Sequence, residues 1–234
     1  MVQRPTRAQS LGGGSAMMTC DALVLDAALR QSLVTVRSLG RRGLGVAAAE
    51  THDHAPAFAS RWCQRGFVFP ATEGTDAYQG ILEHWLERTG ARVLIASNDA
   101  TVALLRRHRA RLEPRVSVAL APESAMAIAI SKEQTLGVAR RLGLPVPREV
   151  VVRDPGDVTA ALNDIGLPAV IKPSESWLWD GREGARLGAR LAVTPAEARH
   201  AVEAVTRFGE AALLQQLLTG RREAVSFLYA HGEV

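Results

Sequence analysis

Residues 166–173 read Gly166-Leu167-Pro168-Ala169-Val170-Ile171-Lys172-Pro173, and the placing of this lysine organises the reading of the whole chain. Ala169-Val170-Ile171 has the length and composition of a short buried strand. A residue before proline is excluded from the helical region, so Lys172 is extended like its neighbours and its ammonium leaves the strand in a fixed direction. The 28 basic residues include only two lysines, Lys132 and Lys172. In a chain whose default cation is arginine, a retained lysine marks a place for a compact point charge instead of a planar fork.

The rest of the composition sets bounds. A chain of 234 residues with 47% hydrophobic content can bury a real core and fits one large or two small domains. The net charge of +4 is spread along the chain, and the densest basic run, Arg106 to Arg111, has no interleaved aromatic residues. It reads as the solvated end of an amphipathic helix, and no nucleic-acid partner is implied. Two cysteines, Cys20 and Cys63, are too few for a disulfide framework or a zinc site, which favours a reducing, cytoplasmic location. Residues 1–18 read as a disordered extension without an apolar signal core. Pro122 and Glu123 interrupt the longest apolar stretch, so no membrane segment is expected.

From Asp21 onward strands alternate with helices. DALVLDA, Val46 to Ala49, FVFP and ARVLIAS read as strands, with helices over Gln31 to Arg42, Tyr78 to Thr89 and the Arg-rich run. This pattern predicts an α/β fold opening with a Rossmann-like parallel sheet over residues 19–121. The first turn, DAALRQS, has no glycine, and Gly43 and Gly45 precede a strand instead of following one. A dinucleotide site is therefore disfavoured, although Glu50 imitates a ribose-binding acid. His52-Asp53-His54 lacks a third metal ligand nearby, and Ser97-Asn98-Asp99 sits where open α/β sheets place ligands.

A second domain is expected over residues 122–234. Ser131-Lys132-Glu133-Gln134 has capping-box form, with Lys132 as the first helical residue and Gly143 ending the helix. Glu149 to Val152, AVIKP, Ala189 to Val193 and Ala212 to Leu218 read as strands. Asp154-Pro155 and the capping box Thr194 to Glu197 start the intervening helices, and Glu175 to Gly188 reads as a loop.

Taken in order, SKEQTLGVARRLGLPVP, GLPAVIKP and LLQQLLTG followed by Glu223 resemble the ATP-grasp superfamily, carboxylate–amine ligases and carbamoyl-phosphate-synthase-like domains included. The resemblance covers about residues 121–234. It implies that Lys132 and Lys172 contact ATP phosphates, with Lys172 on a small lid subdomain. It also implies that Gln215, Gln216, Leu217 and Leu218 form a hinge whose backbone reads adenine, and that Glu223 holds the ribose. Gln215 stands where most members have glutamate. The family's glycine-rich loop is here ESWLWDGREGARLG, whose Trp177 and Trp179 either pack on the lid's own core or form a wall against substrate or base.

The implied activity is ATP-dependent ligation of small-molecule carboxylate and amine (or thiol) substrates through an acyl phosphate. ATP and magnesium are the expected cofactors, and a homodimer is the candidate assembly. The resemblance puts the magnesium ligands beyond Val234. Together with a strand over Ala224 to Tyr229 and a turn at His231-Gly232-Glu233 with no returning strand, this suggests a C-terminally truncated ATP-grasp domain, inactive by itself. A non-catalytic nucleotide-binding module is the rival reading, and an NAD-linked oxidoreductase the weaker one.

Overall fold

The computed structural model describes residues 19–179 and 184–225. In chain order its elements are β1 (Ala22–Val24), α1 (Arg30–Arg41), β2 (Val46–Glu50), β3 (Arg65–Val68), α2 (Asp76–Thr89), β4 (Val93–Ile95), α3 (Asp99–Arg107), α4 (Arg109–Leu112) and β5 (Ser117–Val118). There follow α5 (Glu123–Ile130), α6 (Lys132–Arg141), β6 (Glu149–Val152), α7 (Val158–Ile165), β7 (Ala169–Pro173), β8 (Trp177–Trp179), β9 (Gly184–Arg186), β10 (Arg190–Ala192), α8 (Pro195–Thr206) and β11 (Ala212–Gln216). The extension at 1–18, most of the strand expected at 224–229 and the turn at 231–233 lie outside the described residues. Two compact units divide the chain. One runs to Thr135 and takes in Glu175 to Gly188; the other holds Leu136 to Ser174 and Ala189 onward.

The first unit carries a five-stranded, wholly parallel sheet in the order β3-β2-β1-β4-β5. Successive residues of a strand face opposite ways, and here both faces are covered. Leu23, Leu25, Phe67, Tyr78, Leu82 and Leu94 belong to one cluster, while Val24, Val36, Val46, Ala48 and Phe58 belong to the other. Every residue of β2 is buried, and its Ala47-Ala48-Ala49 run presents little bulk to either layer.

Local signals act where the sequence placed them. Gly90 ends α2 with φ 57°, a left-handed value that glycine adopts without strain. The turn after β1 is different, because its left-handed residue is Asp26, with φ 58°. That carboxylate accepts from Ser97 N (2.6 Å), Asn98 N (2.8 Å) and Thr101 Oγ1 (2.8 Å), which compensates for the unusual backbone. The basic run is divided at His108 into α3 and α4, and its arginines are spent within the unit. Arg106 pairs with Glu123, Arg107 donates to Gly74 O, Arg109 pairs with Glu113, and Arg111 with Glu83.

The second unit carries a four-stranded sheet in the order β10-β7-β11-β6, in which β7 and β11 are central. All three pairings are antiparallel. Helices α7 and α8 pack against each other and against these strands. Along β7 burial alternates, with Ala169, Ile171 and Pro173 buried and Val170 and Lys172 half-buried. The helices therefore cover one face, and Lys172 stands on the other. The capping box at Thr194 is complete: its hydroxyl accepts from Glu197 N at 3.2 Å and the Glu197 carboxylate returns to Thr194 N at 3.3 Å.

Four features depart from the sequence reading. Strand β5, two residues long, and α5, none of whose residues is buried, were not anticipated. The segment read as a loop over Glu175 to Gly188 instead contains a β8–β9 hairpin, in which Trp177 pairs with Arg186. The strand expected to reach Leu218 ends at Gln216.

Candidate functional site

The second unit brings two of the sequence-predicted residues together. Lys172 lies opposite Leu213 on β11, and two residues further along that strand Gln215 projects to the same face. Lys172 Nζ donates to Gln215 Oε1 at 2.7 Å. Gln215 is buried, and its amide nitrogen donates to Glu149 Oε2 at 3.4 Å; the two residues pair in register between β11 and β6. Arg140 Nη2 closes the line on Glu149 Oε1 at 2.6 Å. Glu149 and Arg140 were missed as functional candidates, because Glu149 lies outside the quoted motifs and Arg140, within SKEQTLGVARRLGLPVP, reads as a surface charge of its helix.

The other hinge residues are less enclosed. Gln216 is half-buried and its N–H donates to Arg148 O at 2.9 Å. Leu217 is half-buried and Leu218 is 62% exposed. Glu223 is exposed and pairs with Arg221 at 2.6 Å. The ribose role drawn from the resemblance thus falls on a carboxylate that here occupies itself with its neighbour.

Lys132 belongs to the first unit. It opens α6 behind Ser131, whose hydroxyl accepts from Gln134 N at 3.2 Å, so the cap read from the sequence forms. Its ammonium donates to Ser176 Oγ at 3.1 Å, just before β8.

The same unit holds a cleft of about 660 Å³ whose walls include Thr51, Pro70, Thr72, Glu73, Trp177 and Gly184. Trp177 stands at this cleft. A Cβ at Gly184 would overlap the Trp177 ring, and the ring also approaches Gly74, whose φ is 79°. Both positions need glycine for this packing. Arg186 of the hairpin lies 3.5 Å from Asp99.

Glu73 in the cleft wall is close enough to two further carboxylates, Asp26 and Glu50, to feel their charges. Glu50 accepts from Ala28 N and Thr51 N, each at 2.8 Å, so it serves the β1–α1 turn, not a ribose. Asn98 caps α3 and donates its side-chain amide to Glu73 Oε2 at 2.6 Å, which binds Ser97-Asn98 to the cleft wall. Burial pushes the Glu73 carboxyl up to about 7, helped by the charges of Asp26 and Glu50 and opposed by the Asn98 bond. Burial also raises Asp26, against the pull of its three donors. His54 pairs with Asp53 at 3.2 Å on the surface, and among the described residues no group of three or more His, Cys, Asp or Glu side chains is placed to hold a metal ion. No described helix is long and apolar enough to cross a membrane.

Comparison with known proteins fits this architecture. The chain is 33% identical over 110 residues to the D-alanine–D-alanine ligase of Stutzerimonas stutzeri, a match covering 47% of this chain and 32% of the relative. It is 31% identical over 96 residues to the enzyme of that name from Paracidovorax citrulli, covering 41% of this chain and 27% of the relative. Among solved structures, N5-carboxyaminoimidazole ribonucleotide synthetase from Thermus thermophilus superposes over 85% of this chain and 47% of its own length, with a TM-score of 0.58 and 22% identity. An L-amino acid ligase from Bacillus licheniformis gives a TM-score of 0.56 at 16% identity, covering 87% of this chain and 47% of that one. The chain has the fold of the ATP-grasp proteins. No family model matches it. The chain matches about a third of the length of these curated relatives and under half of these solved structures. The fold likeness covers more of the chain than the sequence likeness does.

Proposed function

We propose that this chain is the nucleotide-binding portion of an ATP-dependent carboxylate–amine ligase. The observation that carries the reading is the setting of Lys172, an ammonium held extended on a central strand, on the face turned away from α7 and α8, beside the end of β11. An ammonium has three donors, and the bond to Gln215 uses one, so the side chain fits a polyanionic ligand. In this reading Lys172 neutralises charge on phosphate oxygens, and the backbone of Gln216 to Leu218 offers its donors and acceptors to the base. Within the first unit, Lys132 stands at the start of α6, where N–H groups and the helix dipole also favour anions. ATP, when bound with magnesium, would supply the phosphoryl group that activates a carboxylate for capture by an amine.

Calorimetry tests the reading. Lys172→Met weakens ATP about 10- to 100-fold, the equivalent of roughly 1.5–3 kcal/mol for a charge-assisted contact, and leaves adenosine nearly unchanged. Lys172→Arg restores only part of the loss, since the planar fork is a poor replacement for a compact ammonium. Equal weakening of ATP and adenosine would remove the phosphate role and leave Lys172 as a support of the sheet.

A further inference from the structure

Arg140, Glu149, Gln215 and Lys172 come from α6, β6, β11 and β7, four separate elements of one unit, and stand in a continuous hydrogen-bonded line. The orientation of the central amide is dictated by its neighbours. An ammonium only donates and a carboxylate only accepts, so Gln215 must turn its oxygen to Lys172 and its nitrogen to Glu149. The Glu149 side chain is 3% exposed, whereas that of Arg140 is 46% exposed. A buried carboxylate is thus answered on one side by a half-solvated guanidinium and on the other, through a neutral amide, by an ammonium. Gln215 has no charge of its own to offer Lys172.

We infer that Glu149 is a positioning residue for Lys172, acting through Gln215: it fixes the amide so that Oε1 meets the ammonium, and supplies from the neighbouring strand the negative charge that glutamine lacks. Arg140 in turn holds Glu149 in place. The line explains how a glutamine at the end of β11 holds a lysine on an adjacent strand at 2.7 Å with a single amide rotamer. Without Glu149 the amide could turn over and set an N–H against the ammonium.

The chain's two lysines allow a test without nucleotide, since Lys132 serves as the internal reference for labelling Lys172 with acetic anhydride. Glu149→Gln raises the labelling of Lys172 relative to Lys132 about three- to tenfold, as expected for loss of a charge-assisted link. Gln215→Met, which leaves the Arg140–Glu149 pair intact, has the same effect and guards against misfolding of the first variant. Combining Glu149→Gln with Gln215→Glu brings labelling back near the parent value, because the carboxylate then stands directly beside Lys172. A purely structural Arg140–Glu149 strut would not be rescued by that exchange. Unchanged labelling in both single variants, or an exchange no better than Glu149→Gln alone, overturns the inference.

The nucleotide arm rests on the proposed role of Lys172. ATP affinity falls about five- to tenfold in Glu149→Gln and recovers in the exchange variant. Altered labelling with unaltered ATP affinity would remove the phosphate role of Lys172 while leaving the positioning line standing.

Discussion

The two sheets treat their polar groups in opposite ways. In the parallel sheet both faces are covered, β2 is buried at all five positions, and the carboxylates at the strand ends turn inward. Asp26 and Glu50 give their oxygens to backbone N–H groups, so their chemistry is spent on holding turns. In the antiparallel sheet the helices cover one face only. There Lys172 is half-buried and retains donors, and its neighbours form a line of side chains instead of a set of turn anchors. A charged group near a strand end therefore anchors a turn where helices enclose both faces of the sheet, and joins a line of side chains where the helices pack on one face only.

The largest test of this contrast is in the enclosed sheet. Leu23, at the centre of β1, is fully buried, and Leu23→Ala lowers stability by about 2–5 kcal/mol in chemical denaturation. A loss under about 1 kcal/mol would show that the parallel sheet is less tightly packed than its burial implies. Asp26→Ala comes next. It leaves the Ser97 and Asn98 N–H groups without their acceptor, at an expected cost of about 2–3 kcal/mol. Full retention of stability would mean that the carboxylate is not an architectural group.

Glu73 gives a smaller, pH-dependent effect. Its carboxyl titrates near 7 in the folded protein against an ordinary value of 4.5, so the folded state binds the proton more tightly. The stabilisation is complete below about 4.5 and is lost as pH rises through about 7. Asp26, raised as well, acts in the same direction. Unfolding free energies from urea titrations near pH 5 and pH 8 should differ by about 1 kcal/mol on account of Glu73, after allowance for solvent screening at this half-exposed group, and Glu73→Gln should narrow the difference. At the small end, Leu191 is 58% exposed on β10, and Leu191→Ser should change stability by no more than about 0.5 kcal/mol. A larger loss there would show that β10 is held by packing that its exposure does not reveal.

Much of the fold was legible because its signals are local. The cap at Thr194, the stop at Gly90, the extended Lys172-Pro173 pair and the lack of glycine after β1 each depend on a few adjacent residues, and each is read from sterics and short hydrogen bonds. The candidate lysines were legible for the same reason, being the only two in an arginine-rich chain. The β8–β9 hairpin escaped, since Trp177-Leu178-Trp179 gives three residues of alternation and the returning Gly184-Ala185-Arg186 has no β-forming composition.

The sequence by itself determined the alternation of strands and helices, their caps, and the extended backbone that aims Lys172. Only the tertiary structure decided what stands beside it. Glu149 and Gln215 are 66 residues apart, and they meet because β11 pairs antiparallel with β6 in a register that sets them opposite each other. A slip of one residue would send Gln215 to the helix-covered face and break the line. Register is a property of the assembled sheet, fixed by which side chains fit the core, and no single stretch of chain contains it.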